Sequence, residues 1–142
     1  VHYFGTKEAL FLAALGVTMS PMSMFDGLAG VSISEAAKLI VRRYLLVLDQ
    51  EQTRDVMLGL VRSAVSSERA ATMLREFLGQ AMLSSLSPLI DHPDRQLRAS
   101  LVVAQLIGIA MLRHVVKADA VASASNEELV SRVAPVIEAY LR

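Results

Sequence analysis

The sequence predicts an all-α domain of about six helices, the last two of which form an intermolecular four-helix bundle. Three observations predict it. Apolar residues recur at helical spacing along the whole chain, with no convincing alternating strand and no Asn-Gly or Asp-Gly hairpin between alternating runs. Ser-x-x-Glu signals, which cap helix starts, open two of the segments. The last two long segments carry apolar residues on two faces rather than one, so one face is left over after each has packed on its own domain.

Composition sets the bounds. A chain of 142 residues suits one domain with a substantial core. Hydrophobic residues make up 54% of it and the mean hydropathy is +0.46. The longest nearly apolar stretch, Ala99 to Leu112, covers 14 residues and contains Ser100 and Gln105. That is short for a bilayer and right for a buried helix, so no membrane association is expected. The apolar surplus then needs another home, and a subunit interface is the simplest one. Fourteen Lys and Arg balance 14 Asp and Glu, so the segment has no basic field to hold nucleic acid and should bind DNA poorly by itself. The absence of cysteine excludes disulfides, thiolate metal sites and a cysteine nucleophile.

The elements follow in order. A first helix starts at Thr6 as N-cap and carries Ala9, Leu10, Ala13, Ala14 and Val17 on one face. Ser20, Pro21, Gly27 and Gly30 interrupt it, leaving 20–31 as a loop or one short helix rich in Met22, Met24 and Phe25. Ser32-Ile33-Ser34-Glu35 reads as a capping box, and the helix behind it runs to about Asp49 with Ala37, Ile40, Tyr44, Val47 and Leu48 inward. Another helix occupies roughly 51–66 (Met57, Leu60, Val61, Ala64). The next covers roughly 68–87 (Met73, Leu74, Phe77, Leu78, Ala81), ended by Pro88. Asp91-His92-Pro93-Asp94 opens the following one, with Pro93 in its first turn.

The last two helices carry the assembly argument. Between about 94 and 117, Leu97, Leu101, Ala104, Gly108, Met111 and Val115 alternate by four and three, a heptad seam. Val102, Leu106 and Ile109 form a second stripe beside it. Gly108 weakens that helix by about 1 kcal/mol relative to alanine, which close approach of another backbone would offset. The final helix opens with Ser125-Asn126-Glu127-Glu128, a second capping box. Leu129, Val133, Val136 and Tyr140 make one seam, and Val130, Ile137 and Leu141 another. Pro135 sits mid-helix, where it should kink the helix or remove one hydrogen bond. The expected dimer interface is Leu101, Ala104, Gly108, Met111, Val115, Leu129, Val133, Val136 and Tyr140. A monomer that buries both helices centrally would use the same residues.

The opening, Val1-His2-Tyr3-Phe4-Gly5-Thr6-Lys7-Glu8-Ala9-Leu10-Phe11, resembles the end of the DNA-binding headpiece in the TetR family of bacterial transcriptional repressors. There an aromatic-rich Tyr/His-Phe segment leads through Gly to Ser/Thr-Lys-Glu and an apolar helix. The resemblance implies that 1–5 are the remnant of a helix-turn-helix domain and 6–142 a ligand-sensing and dimerisation domain. It also implies a cytoplasmic protein. His2, Tyr3 and Lys7 would touch the DNA backbone, and Phe4 would pack headpiece on sensor. Lys7 suits that role, because the first turn of a helix offers free N–H groups beside its charge. Val1 falls inside the motif, so the helix-turn-helix would lie upstream and operator binding would belong to the full-length protein.

In that family the inner helices enclose a cavity whose occupancy alters headpiece spacing, a population shift driven by a small-molecule effector. The lining candidates are Met19, Met22, Phe25, Met57, Val61, Phe77 and Met111, since methionine suits an adaptable apolar site. A residue of this type at helical spacing is more often ordinary core. Arg62, Gln80 and His114 are polar candidates for orienting a ligand, or else solvated and interface residues. Neutral charge and an apolar interior point to a hydrophobic small molecule. No catalysis, metal or cofactor is expected: no Glu-x-x-His pair, His-Glu-x-x-His, Gly-x-Ser-x-Gly elbow or phosphate-binding glycine loop occurs. The competing reading is a helical dimerisation or protein-interaction module without a ligand.

Overall fold

The computed structural model of the chain describes residues 24–79 and 84–142. The expected helix at 6–19 and its N-cap Thr6 lie outside them, as does the proposed domain boundary at residue 5. Among the described residues all regular structure is helical.

Met24 and Phe25 begin a tight helical stretch that turns at Gly27 in the left-handed conformation (φ 74°) and continues as a 3-10 turn, Leu28–Gly30. Met24, Phe25 and Leu28 are all buried. The Arg43 guanidinium holds the stretch down by donating to the carbonyls of Met24 (3.1 Å) and Asp26 (2.7 Å).

Helix α1, Ile33–Asp49, begins where the Ser32 hydroxyl accepts from the Glu35 N–H at 3.1 Å. The Glu35 carboxylate turns to Lys38. All five inward residues expected of α1 are buried, and Ala36, Val41 and Leu45 join them. A helix covered over so much of its circumference is the central element. A single extended residue, Gln50, links it to α2, Glu51–Ser66. Ser67 then caps α3, Glu68–Phe77, its hydroxyl accepting from the Ala70 N–H at 3.2 Å. Helices α2 and α3 pack along each other as a hairpin.

Of the helix expected over 68–87, α-helix is described at Glu68–Phe77 and again at Ser84–Leu86, with 80–83 outside the described residues, and a 3-10 turn, Ser87–Leu89, follows around Pro88. Pro93 also differs from expectation. It lies in the bend before α4, Arg95–Ala110, rather than in the first turn. Asp94 is the N-cap residue, which leaves Pro93 one position outside the helix. The Asp94 carboxylate does not cap the helix but grips Arg98 at 2.8 Å, one turn on, and pairs with His92. Arg98 also donates to the carbonyls of Ala139 (3.4 Å) and Tyr140 (3.3 Å), tying the start of α4 to the far end of the last helix. A helix C-terminus carries free carbonyls and partial negative charge, so a cation there is favoured.

Helix α4 continues into a wide π-turn, Met111–Val115. The Val116 N–H reaches back five residues to the Met111 carbonyl and the Ala118 N–H six to that of Leu112, each at 2.9 Å. Lys117 takes the left-handed conformation, φ 57°, to close it. A five-residue helix, α5 (Asp119–Ser123), follows; it is too short to show periodicity in sequence. Helix α6, Asn126–Leu141, opens with both halves of the capping box formed between Ser125 and Glu128 and runs on through Pro135, which is exposed.

Helix α6 packs most extensively on α1 and also on α4, and these three form the core. Tyr44, Leu106, Val102, Ile137 and Leu141 are almost wholly buried there. The Tyr44 hydroxyl donates to the Leu106 carbonyl at 2.6 Å, and burial pushes its phenol pKa above the ordinary tyrosine range.

Together α4 and its π-turn span 21 residues, Arg95–Val115, with a mean hydropathy of 1.3 over the most apolar window. By length and composition alone this is enough to cross a membrane, which the 14-residue stretch counted in the sequence is not. Ala99, Val102 and Leu106 are nevertheless 0% exposed within the chain. A core helix that keeps an uncovered apolar flank meets the same criterion.

Candidate ligand cavity and subunit face

Two features share α4. On its inner side lies a cavity between the α2–α3 hairpin and the core helices, part of it open to solvent. Helix α1 contributes Tyr44 and Leu48, and α4 contributes Leu106, Ile107 and Ala110. The hairpin supplies Met57, Leu58, Leu60 and Val61 from α2, then Leu74, Phe77 and Leu78 at the end of α3. Apart from the Tyr44 hydroxyl, already committed to the Leu106 carbonyl, no side chain in this wall carries a polar atom of any strength. The cavity volume is ≈ 40 Å³. That exceeds what one water needs, in a place that gives water almost nothing to bond.

Of the residues singled out for lining a pocket, the structure brings Met57, Val61 and Phe77 together on this wall. Phe25 sits in the core and Met111 packs partly buried against it, neither on the wall. Met19 and Met22 lie outside the described residues. The wall residues that sequence reasoning missed, Leu58, Leu74, Leu78, Ile107 and Ala110 among them, are plain aliphatics. Nothing in sequence distinguishes an aliphatic beside a cavity from one in close-packed core. Among polar candidates, Arg62 is exposed and Gln80 lies outside the described residues. His114 is half-buried on the π-turn, with its Nε2 fully buried and without a hydrogen-bond partner among the described residues. Burial, then the charges of Arg54 and Arg113, hold the imidazole below its ordinary pKa against a weaker opposing effect of Asp49.

On its outer side α4 presents an uncovered apolar column. Leu97 and Leu101 are 59% and 37% exposed, and Ala104 and Gly108 are exposed below them. A Cβ at Gly108 would meet nothing within 4 Å, so no backbone among the described residues approaches that glycine. Next to it, α6 exposes Pro135, Val136 and Ala139. The other expected interface residues are distributed differently. Met111, Val115, Val133 and Tyr140 pack partly against the core, and Leu129 is buried within it. Because α6 touches both α1 and α4, its buried arc takes in Leu129 as well as Val130, Ile137 and Leu141, while Val136 of the same expected seam stays exposed. The two faces read for α4 are thus distinct: Val102 and Leu106 inward, Leu97, Leu101, Ala104 and Gly108 outward.

His2, Tyr3 and Lys7, the expected DNA-backbone contacts, lie outside the described residues. Among the described residues no group of three His, Asp or Glu stands close enough to hold a metal ion.

Comparison with known proteins adds to this geometry. Residues 35–141 match a family described as the tetracyclin repressor-like C-terminal domain. The fold is similar to the crystal structure of a TetR-family regulator from Streptomyces coelicolor A3, with a TM-score of 0.71 and 26% identity, covering 97% of this chain and 92% of that one. No curated protein matches the sequence.

Proposed function

Because the chain belongs to the TetR family through its tetracyclin repressor-like C-terminal domain, and so is part of a transcriptional regulator, we propose that it is the effector-sensing and dimerising domain of a ligand-responsive repressor. One observation carries the reading: a single helix, α4, lines an apolar cavity with Leu106, Ile107 and Ala110 and exposes an uncovered apolar column at Leu101, Ala104 and Gly108. Anything that alters the inner side of such a helix alters the position of the outer side, because packed elements shift as units. In this reading a hydrophobic small molecule enters the cavity. Two copies pair through α4 and α6 as a four-helix bundle, in which Gly108 admits the partner's backbone. Operator contact belongs to a helix-turn-helix that His2, Tyr3 and Lys7 would adjoin, with residues 6–142 as the sensing part. Occupancy favours a headpiece spacing that misfits the half-sites. Regulators of this kind are not enzymes and use no cofactor, and the wall holds no acid–base pair.

The test is the molar mass in solution across protein concentration, for the wild type and for Leu101→Glu. A dimer of about twice 15.4 kDa is expected. Leu101→Glu should convert it to a folded monomer, since a charge buried in the seam without a partner costs several kcal/mol. A wild type that stays monomeric at all concentrations would overturn the pairing. A ligand-free dimerisation module is the second reading, and the small closed part of the cavity favours it. Failure of every apolar probe to raise the melting temperature would select that reading.

A further inference from the structure

The cavity has two unlike sides. Its floor is close-packed core, where Tyr44, Leu48, Leu106 and Ala110 are almost wholly buried. Its roof is the α2–α3 hairpin, whose Met57, Val61, Phe77 and Leu78 are only half-buried. The hairpin joins α1 through one residue, Gln50, and packs more extensively on itself than on α1. An element with few contacts beyond itself yields more readily than a packed core does. Both sides offer little but carbon. Met57 adds a thioether sulfur, a weak acceptor, and the Tyr44 hydroxyl is the one O–H or N–H among the lining side chains. Its proton is spent on the Leu106 carbonyl at 2.6 Å, across from α1 to α4.

We propose that the effector carries no hydrogen-bonding group at all, and is a small aromatic or aliphatic hydrocarbon held between the core floor and the hairpin roof. The inference rests on the sensing reading given above and adds a ligand class to it. Affinity for such a molecule comes from apolar area removed from water, which this wall supplies on every side. A ligand carbonyl or ether would have to break the bond from Tyr44 to Leu106 to find a proton. A carboxylate or an ammonium would give up its water to a wall that returns nothing. A ligand hydroxyl would have only the acceptor side of the Tyr44 oxygen to turn to. At ≈ 40 Å³ the cavity is well below the roughly 150 Å³ in which a wall of Leu, Ile and Phe takes benzene. A ring therefore gains its room from the half-buried roof, by displacement of side chains such as Met57, rather than from the floor.

Toluene, phenol and benzoate share one ring and differ in the group it carries, so they test the class when titrated calorimetrically into the complete 142-residue chain. Toluene should bind. Phenol, with a hydroxyl in place of the methyl, should bind about tenfold or more weakly, the order expected of an unmatched hydroxyl. Benzoate should not bind measurably. In wild type, toluene should shift the methyl resonances of Val61, Leu106 and Ile107 and leave those of the exposed Val65 in place. That readout needs no variant to fold. Val61→Phe, which fills the cavity from its half-buried roof, should weaken toluene binding at least tenfold with helical circular dichroism unchanged. Tyr44→Phe should leave the ratio of toluene to phenol affinity within twofold of wild type. Phenol bound as tightly as toluene, or a ratio that widens in Tyr44→Phe, would reveal a hydrogen bond to the ligand; either would overturn the class and leave the sensing reading standing. Toluene bound without shifting the wall methyls would put the ring elsewhere and overturn the site. No binding of any probe to wild type would remove the sensing reading and the ligand class together.

Discussion

Lys117 offers a sharp test of how α4 ends. It is exposed and holds φ at 57°, and it is the one non-glycine residue with a positive φ among those described. An L-residue in this conformation costs roughly 1–2 kcal/mol, because its Cβ crowds the following carbonyl. Lys117→Gly removes that crowding but adds unfolded-state freedom costing about 0.5–1 kcal/mol. The net gain should be about 0.5–1 kcal/mol, or roughly 1–4 °C in Tm for a domain near this size. Lys117→Ala keeps the Cβ and loses only the charge near the helix end, so it should leave stability unchanged or slightly lower. Lys117→Val, branched at the Cβ, should be the least stable of the series. Urea unfolding at one fixed protein concentration measures all four, and the slope should not change between them. A glycine variant no more stable than the alanine variant would refute the reasoning, since it would mean that the left-handed turn stores no strain.

Other expectations rest on single contacts. Ser125→Ala should cost about 0.5–2 kcal/mol by opening the capping box of α6, visible as a lower urea midpoint. Tyr44→Phe should cost about 1 kcal/mol through loss of the buried bond to Leu106, measured in the same way, and an unchanged midpoint would count against that bond. His114 predicts a pH dependence. Its pKa is lowered on folding, so its contribution is complete above about pH 6.5, where the unfolded chain is also neutral, and it is lost as pH falls from there toward the lowered folded value. His114→Gln should therefore flatten the stability curve just below pH 6.5. Asp94 acts lower on the scale. The hydrogen bond from Arg98 holds its carboxyl below the ordinary value, so its contribution is present above pH 3.8 and disappears on acidification below it, and Asp94→Asn should remove that part of the acid slope.

The sequence carried some of this plainly and some of it not at all. The starts of α1 and α6 were legible because a serine followed by glutamate at the third position has a local mechanism that needs no tertiary context. The two faces of α4 were legible from Leu97 to Gly108 because periodicity records them there, whereas Met111 and Val115 of the same seam pack against the core. Periodicity does not say how wide a buried arc is. Leu129 therefore read as part of an outer seam, although α6 lies against two helices and covers it. Pro93 read as a first-turn residue because local rules permit it there, whereas the helix starts one residue later, with Asp94 as N-cap and Arg95 as its first residue. Met57, Val61 and Phe77 were legible as wall candidates by residue type, whereas Ala110 and Leu58 have nothing in type to mark them. The widened turn at Met111–Val115 leaves no compositional trace, because it depends on how one extra residue is stored rather than on which residue it is.

That stored residue has a consequence for how the chain tolerates change in length. A π-turn holds one residue more than the α-helix around it would use, so the stretch from Met111 to Val115 is a spare link. Removing a single residue there would restore regular winding and leave the heptad column from Leu97 to Gly108 in phase, since everything upstream keeps its register. Within the turn, the imidazole and guanidinium of His114 and Arg113 would swing by about a quarter-turn, away from their present neighbours. Relatives one residue shorter at this point could therefore keep the same outward-facing column while presenting a different inner corner. Length variation here would uncouple the evolution of one side of the helix from that of the other.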